Sequence, residues 1–307
     1  MVSLGEFSEI LPLEATVDVS VVGVGPGVIL TVPATGGILL ARPRTNLRLE
    51  NLTIRTSATD GLVSEAANAL CKAPGGIAAG RAAGAARLLL GRSLAQDTKA
   101  PAPAGQTTED GSGGTDDEPL IATEMFCVTV RAGRCTVYNC RFERCAYGGV
   151  GVAGGDAELL ACACAFDAPR GTAISARSGA RARVEGCEFD AARRHGVEAA
   201  GGASCAIMSC AFRGTAGHGV ALAGSGGARI ERCTFVGGRR AAVAVSAGAD
   251  PLVADDDVDG GGRAGFFIFA GGRGRFERNA LRGCRLAAVE VQCARVRAPD
   301  ARRCWVR

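Results

Sequence analysis

The chain has 307 residues, 47% of them hydrophobic, with 45 glycines, only 5% aromatics and a formal net charge of +4. This composition supports a large core built from small side chains rather than a globule packed on bulky aromatics, and the charge implies no partner by itself. No run of about 18 apolar residues occurs and the start, MVSLGEFSEILPLEA, lacks a basic or apolar leader region, so the expectation is no membrane span, no signal peptide and a cytoplasmic setting.

In chain order, the first predicted elements are short strands at Val17-Asp-Val19, Val22-Gly-Val24 and Val28-Ile-Leu30. Leu49-Glu-Asn-Leu52-Thr-Ile54 then superposes on Ile230-Glu-Arg-Cys233-Thr-Phe235, so residues 1–55 follow one local pattern with the rest of the chain. Residues 56–122 break it. AAGRAAGAARLLLGR is followed by APAPAGQTTEDGSGGTDDEP, rich in Pro, Gly, Ser, Thr and acid, the composition of a disordered insertion looping out between repeats.

The main repeat fills residues 123–307. Cys-x-Phe recurs at Cys140, Cys164, Cys187, Cys210 and Cys233, and the same step reaches Asp256-Asp-Val258 and Asn279-Ala-Leu281. Three apolar columns run in register with it. One is Val150, Ile174, Val197, Val220, Val243, Phe266 and Val289, the next lies two residues further on, and the third three residues ahead of each cysteine position. Alternation at a spacing of two is strand periodicity, and the glycines that follow each Val-x-Val strand mark tight corners. The pattern predicts an all-β, single-stranded parallel β-helix of about 23 residues per coil, whose coils bury a core only by stacking.

These columns resemble the parallel β-helix repeat of the pectate-lyase-like superfamily. Gly5-Glu-Phe7-Ser-Glu9 and VSVVGVGPGVIL at Val19–Leu30 resemble its opening coil, which leaves a first strand or cap expected ahead of Gly5. The nearest likeness is to the β-helix domains of F-box-type and NosD-like proteins. The resemblance implies a right-handed helix. It implies no single activity, because the fold hosts lyases, hydrolases, epimerases and binding modules. The residues carry no F-box pattern, so a ubiquitin-ligase role is not carried over.

Four sets of residues could carry chemistry. The five cysteines of the column are expected to stack inward as a structural ladder, reduced and without metal. His195 and His218 should stack at one exposed corner, where the next members of their column, Ala241 and Ala264, supply no third ligand. Gly217-His218-Gly219 resembles a polygalacturonase motif, but its Asn-Thr-Asp and Arg-Ile-Lys companions are missing. Asp255, Asp256, Asp257 and Asp259, with Asp250 nearby, form the best carboxylate cluster. In lyases of that superfamily such clusters hold Ca²⁺, and glycosidases need a carboxylate pair. The competing reading is a surface ion ladder with Arg232 and Arg278. Glu185, Glu231 and Glu277, one on every second coil, are too far apart for an acid–base pair and read as a solvated face. The functional expectation is a non-catalytic binding or scaffold module, without cofactor, taking a protein or glycan along its outer sheet face. A nucleic-acid partner is not expected, and the alternative is a carbohydrate-active enzyme, for which one Trp and two Tyr offer little sugar stacking.

Overall fold

The computed structural model describes residues 6–8, 13–25, 27–33, 37–57, 126–224 and 226–292. The low-complexity segment expected to be disordered falls outside the described residues, as does the expected cap ahead of Gly5. The coil before that segment runs through Ser57, whose N–H reaches the Val32 carbonyl, so the regular pattern extends two residues past the boundary expected at 55.

Among the described residues the chain forms three parallel sheets of ten, ten and nine strands and no helix. Each strand pairs with its equivalents one coil away, three strands along the chain. In a central coil, Glu188–Asp190 belongs to what is here termed the phenylalanine sheet, Val197–Ala200 to the valine sheet and Ser204–Met208 to the arginine sheet. The registers match the columns read from the sequence: Phe166 pairs with Phe189, Ile174 with Val197, and Val184 with Ile207.

The core lies inside the coil, where alternate residues of all three sheets meet. Val150, Ile174, Val197, Val220 and Val243 are fully buried in one stack, closed by Phe266 and the half-buried Val289. Phe142, Phe166, Phe189, Phe212 and Phe235 form a second stack with ring centroids 4.6–5.0 Å apart and planes within 7°. That spacing is the parallel-strand distance, so the sheet imposes the stacking geometry on the rings. In the N-terminal coils the expected strands shift. Val19–Val22 and Ile29–Val32 are strands, whereas Val17 and Val24 are exposed, so their apolar alternation does not mark buried rungs. Short strands at Leu13–Ala15 and Ile38–Leu40, which the sequence pattern did not reveal, complete these coils in the valine sheet.

The corners explain how so tight a coil closes. After each valine-sheet strand the predicted glycines take positive φ, as at Gly154, Gly179 and Gly248. Between the arginine and phenylalanine sheets the left-handed position is occupied by ordinary residues: Asn51, Asn139, Ala163, Ser209, Arg232, Asp255 and Arg278, all with φ between 49° and 54° or, for Asp255, 58°. Such conformations are unfavourable for most side chains. Here they are held because the corner N–H of every one but Arg278, which lies at the last strand of the arginine sheet, donates to a carbonyl of the following coil, as in Ala163 to Glu185 and Arg232 to Ala254.

Candidate functional site

The residue after each left-handed corner points inward, and this is the cysteine column. Cys140, Cys164, Cys187, Cys210 and Cys233 are each at most 2% exposed. Their thiols donate to main-chain carbonyls: Cys187 Sγ lies 3.5 Å from Glu185 O and 3.6 Å from Ala161 O, and Cys210 Sγ 3.2 Å from Met208 O. The Cys164 N–H in turn donates to Cys187 Sγ at 3.4 Å. The thiols thus serve as weak donors between coils, and Cys187 also as an acceptor. Burial pushes the Cys140 thiol up to about 11. Hydrogen bonding with Cys187 raises Cys164 and Cys210 and, in the same exchange, lowers Cys187. A separate buried pair, Cys127 and Cys145, meets thiol to thiol at 3.2 Å.

His195 and His218 stack with ring centroids 5.4 Å apart. The expected exposure of both is not what the structure gives: His218 is buried and His195 half-buried. The reason is that His195 Nδ1 accepts the His218 N–H at 3.0 Å, while the His218 ring lies over Phe267 at 6.4 Å, so the imidazoles fill a corner. Burial, with help from nearby charges, lowers His195 to about 4 and His218 to about 3, so both are neutral at ordinary pH.

The aspartate cluster does not converge. Asp255 sits at the left-handed corner and takes a two-pronged bond from Arg278, 2.7 Å to each oxygen. Asp257 and Asp259 point outward from the phenylalanine sheet toward one Arg282, at 2.8 and 3.6 Å. Asp256 faces inward in the cysteine column at 2% exposure. Among the described residues no group of three His, Cys, Asp or Glu side chains is arranged to hold a metal ion.

The outer face of the arginine sheet was legible in sequence only as its glutamates. Each of Glu185, Glu231 and Glu277 is paired with an arginine two residues earlier, Arg183 at 3.0 Å, Arg229 at 2.6 Å, and Arg275. Strand alternation puts residues i and i+2 on one face, so the pairs lie flat along their strands. The arginine is the more exposed member of each: 59% for Arg229 against 14% for Glu231. On intervening coils the same positions carry Leu160 and Cys162, then Ala206 and Met208, then Leu252 and Ala254. The face is therefore striped, with arginines recurring every second coil, roughly 10 Å apart by strand spacing. A shallow open groove of about 690 Å³ crosses it, lined by Arg134, Arg181, Arg183 and Arg229 against one carboxylate, Glu158. Glu158 lies between Arg134 and Arg181, whose hydrogen bonds hold its carboxyl below the usual range. The signal that could have found this face was the Arg-x-Glu triplet, repeated at 183, 229 and 275.

Comparison with known proteins gives one match. Residues 172–306 fit the family model described as right handed beta helix region. That match is to the β-helix repeat in general and does not reach the F-box-type or NosD-like domains. The same register continues back through the earlier coils, so the fold is a right-handed parallel β-helix. No curated protein and no solved structure matches the chain.

Proposed function

We propose that this right-handed β-helix is a non-catalytic binding module whose partner is an extended anionic glycan lying across the arginine sheet. The observation that carries the reading is the groove itself: Arg134, Arg181, Arg183 and Arg229 line a face with a repeat of two coils and outnumber the three carboxylates they pair with, Glu158, Glu185 and Glu231. Arginine forks suit carboxylate and sulfate groups, and their free N–H groups remain available beyond the flat Arg-x-Glu pairs. Two sugar units of a β-linked chain span about the same distance as two coils, so a charge on alternate sugars would meet successive arginines. The groove is open and shallow, without the deep pockets that anchor the aromatic and aliphatic side chains of a protein partner. The enzyme reading needs convergent carboxylates with an acid–base task, and the aspartates and histidines instead point to separate corners and pair locally.

Calorimetric titration with hyaluronate, a β-linked polymer with a carboxylate on alternate sugars, a sulfated glycan and a neutral glucan tests this. The expected result is binding of the charged polymers that weakens with salt, and at least a tenfold loss in the double variant Arg181→Glu, Arg183→Glu. Equal binding by that variant, preference for the neutral glucan, or release of new chain ends from any polymer would overturn the proposal.

A further inference from the structure

The inward column at the corner before the phenylalanine sheet has a fixed hydrogen-bonding task. Cys187, Asp256 and Asn279 each accept the N–H of the rung one coil earlier, and Cys164, Cys187, Cys210, Cys233 and Asn279 each donate to the carbonyl three residues ahead of that earlier rung. Asn279 does both well: its Oδ1 accepts the Asp256 N–H at 2.9 Å and its Nδ2 donates to Val253 O at 2.9 Å. Cys233 does the second weakly, its thiol 3.8 Å from Ile207 O. Asp256 does the first strongly, Oδ1 accepting the Cys233 N–H at 2.7 Å. Its other oxygen, Oδ2, is buried and has no hydrogen-bond partner. By the register of the column, the carbonyl on the side of Oδ2 is that of Ile230, three residues ahead of Cys233, and a carbonyl oxygen can accept a second donor besides its sheet partner. An ionised carboxylate has no proton to give and would bring a second acceptor against that carbonyl.

We propose that Asp256 is a proton-binding rung, carried in the folded chain as the neutral acid, with its O–H donated to the Ile230 carbonyl, so that ionisation loosens the joint between the coils of Cys233 and Asn279. The charged surroundings agree. The groups nearest Asp256 along the chain are Asp255 and Asp257, already engaged by Arg278 and Arg282. From the preceding coil come Glu231, paired with Arg229, and Arg232, which acts on Asp255; from the following coil come Glu277 and Arg278. Cys233 and Asn279 pack directly above and below and are uncharged. Among the described residues no arginine is buried to compensate a carboxylate in this slot. Burial first, opposed by the Cys233 N–H and reinforced by Asp255 and Glu231, raises the carboxyl to about 7.

The direction of the pH effect follows. A folded pKa above the unfolded value of about 3.9 means that the folded chain holds the proton more tightly. The stabilisation is complete below about pH 4 and is lost as pH rises through about 7. His195 and His218 act with the opposite sign: their lowered values make folding weaker as pH falls below about 6.5. The wild-type profile alone therefore mixes two effects, and the informative quantity is the difference from Asp256→Asn, which keeps shape and supplies a permanent donor.

Urea unfolding of the full chain at a series of pH values tests this. The two proteins should be nearly equal at about pH 4, and D256N should have an unfolding constant at least about tenfold smaller at about pH 8. Infrared difference spectra provide a second readout that needs no unfolding: a protonated-carboxyl band at mildly acidic pH, present in the wild type and missing in D256N. Parallel pH profiles together with no such band would overturn the proposal.

Discussion

The coils from Cys140 to Cys233 and those carrying Asp256 and Asn279 share one corner, one register and one inward slot, yet they fill it with different chemistry. In the first group a thiol beside a phenylalanine makes long bonds to carbonyls, and the ring stack supplies the contact area. In the second the aromatic partner is replaced by Val258 and Leu281, and the slot holds a carboxyl or an amide with bonds of 2.7–2.9 Å. The difference teaches that the slot does not require a cysteine: Asp256 and Asn279 fill it with strong polar bonds, and Leu52, buried beside Ile54 in an earlier coil, fills it with an apolar side chain. The thiols combine both means, with dispersion from the ring stack beside weak sulfur bonds.

The hardest test of that comparison is a rung that cannot serve either role. Cys187→Arg would bury a charge with no partner between fully covered neighbours, and the expected outcome is loss of the folded state, seen as loss of the β signal in circular dichroism. Next, Phe189→Ala removes the central ring, stacked on both sides, and should cost about 3–5 kcal/mol in urea unfolding. Val258→Ala, in the polar group, should cost less, since it deletes a smaller side chain; equal costs would show that the ring stack is not what separates the two regions. Asp256→Asn should stabilise the chain above about pH 7 by up to about 4 kcal/mol, since the buried carboxyl is pushed up to about 7 from an unfolded value of about 3.9. Cys187→Ala is expected to be the mildest of the core changes, about 1–2 kcal/mol, from a small cavity and three weak bonds. On the surface, Arg183→Ala should change stability by no more than about 0.5 kcal/mol while weakening glycan binding, because its ion pair is solvated.

The solenoid was legible because its core columns are written at a constant step. Val150 through Val289 and Phe142 through Phe235 need no partner information beyond the repeat. The left-handed corners were not, because Asn139, Ala163, Ser209 and Arg232 share a backbone conformation without sharing side-chain chemistry, and the inter-coil bonds that hold them are main-chain bonds. The buried state of His218 escaped for a related reason. Its cover comes from Phe267, two coils away, which no local pattern links to it. Asp256 was visible as an odd carboxylate in an inward slot, but its bare oxygen and the carbonyl it faces follow only from the stacked geometry. The glutamates of the arginine sheet were read as a solvated face; the groove beside them required the neighbouring coils' Arg134, Glu158 and Arg181 to be brought together.

The cysteine column as a structural ladder is the claim on which the comparison rests, and thiol labelling of the native protein tests it most directly. With a small alkylating reagent at mildly alkaline pH and peptide-level mass spectrometry, Cys140, Cys164, Cys187, Cys210 and Cys233 should react only at the rate of global unfolding. Among the described cysteines, the half-buried Cys162 and Cys284 should react first. Cys187 is the residue to watch, since hydrogen bonds from its neighbours favour its thiolate. Rapid native labelling of Cys187 or Cys210, or stoichiometric zinc lost when they are replaced by serine, would contradict the structural reading.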